Sequence, residues 1–138
     1  MMMIRISAVV IAFVAELGLD QIISTILLIA FGHTDFSPDM SDTEKEAFVK
    51  AVWSDGSFVL LAFLLGTATT ILGGYLCARI AKVFPYYNGL AIGIVGLAFT
   101  LLVMGEAPVW YTVLGVLLAV PASIYGAHLA KPHITPAA

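Results

Sequence analysis

Residues 6–31 form an apolar stretch long enough to cross a bilayer, and near its middle stand two carboxylates, Glu16 and Asp20. A spanning helix needs roughly 20 mostly apolar residues to cover about 30 Å of hydrocarbon. No such span can be drawn within residues 6–31 that leaves both acids in bulk water. Charge facing lipid is costly, so acids at this depth turn toward other helices or toward a water-filled cavity. The remaining chain supplies the partner helices, as apolar segments at about 57–84, 86–104 and 108–129. A tight turn around Pro85 and a short Gly105-Glu106-Ala107-Pro108 turn join them. The expected fold is all-α: one polytopic domain over residues 1–138, with four transmembrane helices in two hairpins and a loop at 32–56.

Composition agrees, because 61% hydrophobic residues, 11% charged residues and a mean hydropathy of +1.03 lie outside the range of soluble domains. The other seven acids and the six bases are spread over loops and helix ends with no basic run, so no nucleic-acid partner is expected. Cys77 is the one cysteine, which excludes an intramolecular disulfide and makes it a small packing residue. Arg5 followed by apolar residues mimics a signal peptide. Cleavage after Ala15 would, however, put Phe13 where a small residue is needed, and the apolar run resumes at Leu17. The segment reads as one uncleaved spanning helix.

Arg5, Arg79, Lys82 and Lys131 fall near the termini and in the second connection. The first loop carries Asp35, Asp39, Asp42, Glu44, Glu46 and Asp55 against Lys45 and Lys50, and the third connection carries Glu106. Basic residues stay on the cytoplasmic side, so both termini are expected there. Trp53, Phe58, Trp110 and Tyr111 are expected at the outer interface, and Phe84, Tyr86, Tyr87 and Tyr125 at the inner one. Within the first loop, Ser41 and Glu44 fit a capping box. Ala47, Phe48, Ala51 and Val52 then share a face, predicting a short amphipathic helix on the outer surface. The acids there lack the spacing of a calcium loop, and His33, His128 and His133 are isolated, so no metal site and no cofactor is expected.

Gly89 and Gly93 form a GxxxG pair, Gly115 with Ala119 and Ala122 with Gly126 form related pairs, and Gly66, Gly73 and Gly74 lie on the second spanning helix. Small residues at this spacing let helix backbones approach closely, within one chain or between copies. Residues 65–82 and 114–131 also align without gaps, sharing Leu-Gly at the start and Ala-x-x-Ala-Lys at the end. That similarity points to a duplication of the second and fourth spanning helices, with Arg79 and His128 at matching positions.

Ala12, Glu16, Asp20 and Ser24 recur every four residues and make one polar stripe, with Gln21 and Thr25 beside it. Counting depth at about 1.5 Å per residue brings Thr69, Thr70, Gly73, Gly74, Gly93, Gly96, Thr100, Ala119, Pro121 and Ser123 to the same level. Pro121 lacks an N–H and leaves the Leu117 carbonyl without its helical donor. Three readings of this layer stand side by side. The first is an interhelical hydrogen-bond network in which at least one acid is protonated, with a variant that pairs Glu16 to Arg79. The second is a proton or cation site formed by Glu16, Asp20, Gln21, Thr70, Thr100 and Ser123. The third has the acids meeting a basic residue of another subunit. No nucleophile here has a base beside it, so no catalysis is expected.

The segment GGYLCARIA, from Gly73 to Ala81, resembles a stretch in uncharacterised bacterial inner-membrane proteins with four predicted helices. The resemblance implies a bacterial inner-membrane setting and carries over no site. Taken together, the residues describe a non-enzymatic membrane protein acting through helix packing, as a homo-oligomer or as an accessory subunit in the bilayer. The alternative is a small proton- or cation-coupled transporter or channel built on Glu16 and Asp20. Topology is directly testable: reporter fusions at Ala138 and within residues 39–50 should report opposite sides, the former cytoplasmic. A cytoplasmic signal from the first loop would reverse the orientation.

Overall fold

The computed structural model describes residues 3–103 and 105–134, and among them every regular element is helical. The helices are α1 (Ile6–Ala30), α2 (Asp42–Ser54), α3 (Gly56–Ala81), α4 (Pro85–Val103) and α5 (Val109–Ala130), followed by a 3-10 turn at Lys131–His133. Four of them, α1, α3, α4 and α5 with its 3-10 extension, are long and apolar enough to cross a membrane. Their bounds lie within a few residues of the predicted spans, and Met104, the predicted end of one, lies outside the described residues.

Each end has a local cause. α1 stops where Gly32 takes φ +76, a conformation glycine adopts freely, and the His33 N–H returns to the Leu28 carbonyl at 2.8 Å. α3 stops at Ala81 rather than Phe84, because Lys82 at φ 59 caps it in the left-handed region and Pro85 disfavours a helical residue before it. Pro85 then opens α4, where its missing N–H costs nothing. α5 continues through Pro121, which faces away from the bundle.

The predicted capping box on α2 is present: Glu44 N–H donates to Ser41 Oγ at 3.4 Å, and Ser41 N–H donates to Glu44 Oε2 at 2.8 Å. The buried face of α2 is turned one position from the predicted one. Phe48, Val49, Val52 and Trp53 face the bundle, whereas Ala47 and Ala51 are exposed, since the larger side chains gain more from leaving water. Phe48, Val52 and Trp53 pack on Leu27, Phe58 and Val59, so Phe58 is core rather than an interface residue. Asp55 caps α3 by accepting from Phe58 N–H at 3.1 Å and lies 3.2 Å from His33 Nε2. The Phe58 N–H, with a smaller contribution from His33, holds the Asp55 carboxyl below the usual carboxylate range.

α3 is the central helix, with α5 as its main partner and α1 and α4 also against it. A Cβ on Gly74 would collide with the Ser123 carbonyl, and one on Gly126 with the Ile71 carbonyl, so α3 and α5 meet backbone to backbone. Gly74 and Ser123 are the positions that the alignment of residues 65–82 with 114–131 pairs. α4 joins through Gly89 against Ala127 and Gly93 against Ser123 Oγ. Farther along, Gly66, Gly96 and Gly115 have no neighbour near a would-be Cβ. The bundle is therefore closed toward the α3–α4 turn and splayed toward α2.

Asn88 stitches the closed end. Its buried Nδ2 donates to the carbonyls of Met3, Val83 and Phe84 at 3.2, 2.9 and 3.1 Å, and its Oδ1 accepts from Arg5 N–H at 2.8 Å. One amide thus ties the start of α1 to the turn before α4.

The two classes of glycine should respond oppositely to alanine. Gly126→Ala must separate α3 from α5 and should lower unfolding stability in detergent by about 1–3 kcal/mol. Gly115→Ala enters open space and should hold or raise stability. Equal effects would show that the two faces are not packed differently.

Candidate functional site

The site begins on α1. Glu16 lies over α3 with its Oε2 where a Cβ on Gly73 would stand, so the absent side chain of Gly73 is what admits the carboxylate. One turn on, Asp20 Oδ1 meets Thr69 Oγ1 at 2.5 Å, and the same hydroxyl lies 2.8 Å from the Gly66 carbonyl. Thr70 Oγ1 donates to that carbonyl at 3.1 Å. A threonine hydroxyl has one proton and two lone pairs. An ionised Asp20 accepts that proton. A protonated Asp20 donates to the Thr69 oxygen while the Thr69 proton turns to Gly66. The contact accommodates Asp20 in both states.

Both acids line a cavity of about 280 Å³ between α1, α4 and α5. Its floor is Phe13, Glu16, Ile92 and Gly93; Asp20, Thr70, Gly96, Thr100 and Ala119 stand above them, and Trp53, Val103, Gly105, Ala107 and Tyr111 ring the α2 end. This is the splayed half of the bundle, where α1 does not pack on α5 as α4 does. Asp20 also borders two smaller cavities of about 160 Å³ each, one toward Thr67 and Gly115 and one toward Ser24 and Ala62. Tyr111 borders all of these and a further cavity of about 260 Å³ beneath α2.

Of the predicted site residues, Glu16, Asp20, Thr70 and Thr100 all line one cavity. Gln21 does not join them and is exposed on the outer face of α1. Ser123 is buried, with its Oγ 2.9 Å from both the Gly89 and Val120 carbonyls, and it serves helix packing. Arg79 is not beside Glu16: its Nη1 donates to the His133 carbonyl at 2.9 Å at the exposed end of α3. Among the described residues the one base beside a carboxylate is His33, 3.2 Å from Asp55, so neither cavity acid has a basic partner there. No group of three or more His, Cys, Asp or Glu side chains there could hold a metal ion. Of the packing glycines, Gly73, Gly74, Gly89, Gly93 and Gly126 all receive neighbours from this same chain, and Gly115 borders a cavity.

Two contributions were not foreseen. Thr69, placed at the right depth, is the acid's direct partner. Tyr111, expected at the outer interface, turns inward against Trp53, Phe63 and Trp110 at centroid distances of 5.2, 5.5 and 5.9 Å. Its place in the first turn of α5 put it at the right height, and nothing in the sequence marks its direction. Compared with protein-family models, curated proteins and solved structures, the chain finds no match, so its function rests on its own residues.

Proposed function

We propose that this is a non-enzymatic multi-pass protein of a bacterial inner membrane that binds a proton or cation at Glu16 and Asp20 and passes it along the cavity between α1, α4 and α5. Both termini are cytoplasmic, α1 with α3 and α4 with α5 form two hairpins, and α2 lies on the outer surface beside the cavity mouth. The distribution of Arg5, Arg79, Lys82 and Lys131 against the acids of the first loop supports this orientation. The observation that carries the function is the pair of carboxylates of α1 that line one cavity with hydroxyls and have no basic partner among the described residues. Acids that only bridged helices would be enclosed by their hydrogen-bond partners, whereas these border open space.

In this reading Glu16 and Asp20 supply the charge, Thr69 and Thr70 orient it, and Thr100 faces it from α4. The closed half around Gly74, Gly93 and Gly126 forms the barrier on the cytoplasmic side. Assembly with a second copy or another membrane subunit is a second role favoured by Gln21, whose amide is exposed along a spanning helix where lipid offers it no hydrogen bond.

The test is dissipation of a pH gradient by proteoliposomes, with sodium, potassium or an organic ammonium ion on the opposite side. Glu16→Gln with Asp20→Asn should fold and elute as the wild type, since amides keep donors and acceptors, yet cut the flux at least tenfold. Flux that survives the double substitution, or wild-type protein inert under every gradient, would contradict the proposal.

A further inference from the structure

The cavity is far larger than a proton relay or a bare metal ion requires, and its walls are mostly carbon. Phe13 and Phe99 pair edge to face at 5.6 Å, and Trp53 and Tyr111 pair at 5.2 Å at the α2 end of the cavity. A dehydrated calcium ion takes at least about six oxygen ligands. Two carboxylates and two threonine hydroxyls, divided among α1, α3 and α4, reach six only with both carboxylates bidentate, and Asp20 Oδ1 is already engaged by Thr69 Oγ1. An organic ammonium ion asks for something different. It needs net negative charge nearby, aromatic faces along its substituents, and no fixed coordination number. The volume of about 280 Å³ lies close to the lower end of the roughly 300–1,000 Å³ typical for organic ligands.

From these features we infer that the cavity takes a small organic cation, a quaternary or alkylated ammonium bearing an apolar or aryl group, held by Glu16 and Asp20 and flanked by the two aromatic pairs. The charged nitrogen sits at the level of the acids and the apolar substituent lies along Phe13, Phe99 and Ile92. The inference rests on the proposed cation site and adds the substrate class. Thr70 and Thr100 then bind the water that accompanies the cation rather than the cation itself.

Benzyltrimethylammonium and its uncharged isostere neopentylbenzene separate charge recognition from simple partition into apolar space. Trp53 and Trp110 are the two tryptophans, and Trp110→Phe leaves Trp53, which lines the cavity, as the optical reporter. Titrating this protein in detergent with benzyltrimethylammonium should change Trp53 emission saturably, with one site per chain by equilibrium dialysis. Neopentylbenzene should show no saturation, and a hundredfold excess of sodium, potassium or calcium should not displace the bound cation. Glu16→Gln with Asp20→Asn should weaken binding tenfold or more, and Phe99→Leu, which keeps apolar bulk without a π face, by about two- to fivefold. Equal binding of the neutral isostere, displacement by an inorganic ion, or undiminished binding by a folded double variant would each overturn the inference. So would failure of the wild type to bind benzyltrimethylammonium. A pH gradient dissipated by sodium or potassium in a Glu16- and Asp20-dependent way, without benzyltrimethylammonium binding, would overturn the substrate class and leave the cation site standing. Binding without flux would uphold the class and overturn transport.

Discussion

The backbone contact between α3 and α5 is the constraint from which the rest of the bundle follows. Gly74 against the Ser123 carbonyl and Gly126 against the Ile71 carbonyl bring two helices closer than side chains would allow. In lipid there is no hydrophobic gain from bringing apolar helices together, so close van der Waals contact and hydrogen bonding have to do it. Ser123 serves both, since its backbone receives Gly74 while its Oγ reaches the Gly89 carbonyl of α4 at 2.9 Å. α4 is thereby fixed to the α3–α5 pair at the same level. Asn88 then secures the start of α1 to the turn before α4, and the four helices are clamped at one end.

A bundle clamped at one end by small residues, and lined at the other by side chains that do not fill it, opens into a cavity. Glu16 stands at the boundary between the two regimes, over Gly73 on one side and facing the open volume on the other. Asp20, one turn farther, is wholly in the open half. The likeness of residues 65–82 to 114–131 sharpens the contrast. If the two halves were equivalent, α1 would pack on α5 as α4 packs on α3, but α4 packs on α3 while the gap between α1 and α5 holds the cavity.

Much of this was legible in the residues. Long apolar runs settle the helices, the Ser41 and Glu44 pair announces α2, and acids in a spanning segment point inward because lipid refuses them. Direction around a helix was harder to read. Gln21 follows Glu16 by five residues, which rotates it by about 140°, so it cannot share the wall that Glu16 and Asp20 occupy. Ser123 has the right depth for a ligand, yet the glycines facing it turn its hydroxyl toward backbone. Tyr111 looks like one more interfacial aromatic until Trp53 and Phe63 are seen holding it inward. Asn88 gave no signal, since its partners are carbonyls that any residue could offer and only the turn geometry selects these. Arg79 is drawn away from the acids by the His133 carbonyl, a contact that depends on how α5 ends.

The central claim is that Glu16 and Asp20 border an aqueous cavity entered from the α2 side, and thiol accessibility tests it most directly. Thr100, on the cavity wall, and Val14, on the exposed face of α1, can each be replaced by cysteine, with the buried Cys77 as internal control. Thr100→Cys should react with a membrane-impermeant, water-borne thiol reagent added from the α2 side, while Val14→Cys and Cys77 stay unmodified. A Thr100→Cys protein as inert as the Val14→Cys protein would mean that the acids face packed protein and not water, and the account would fail.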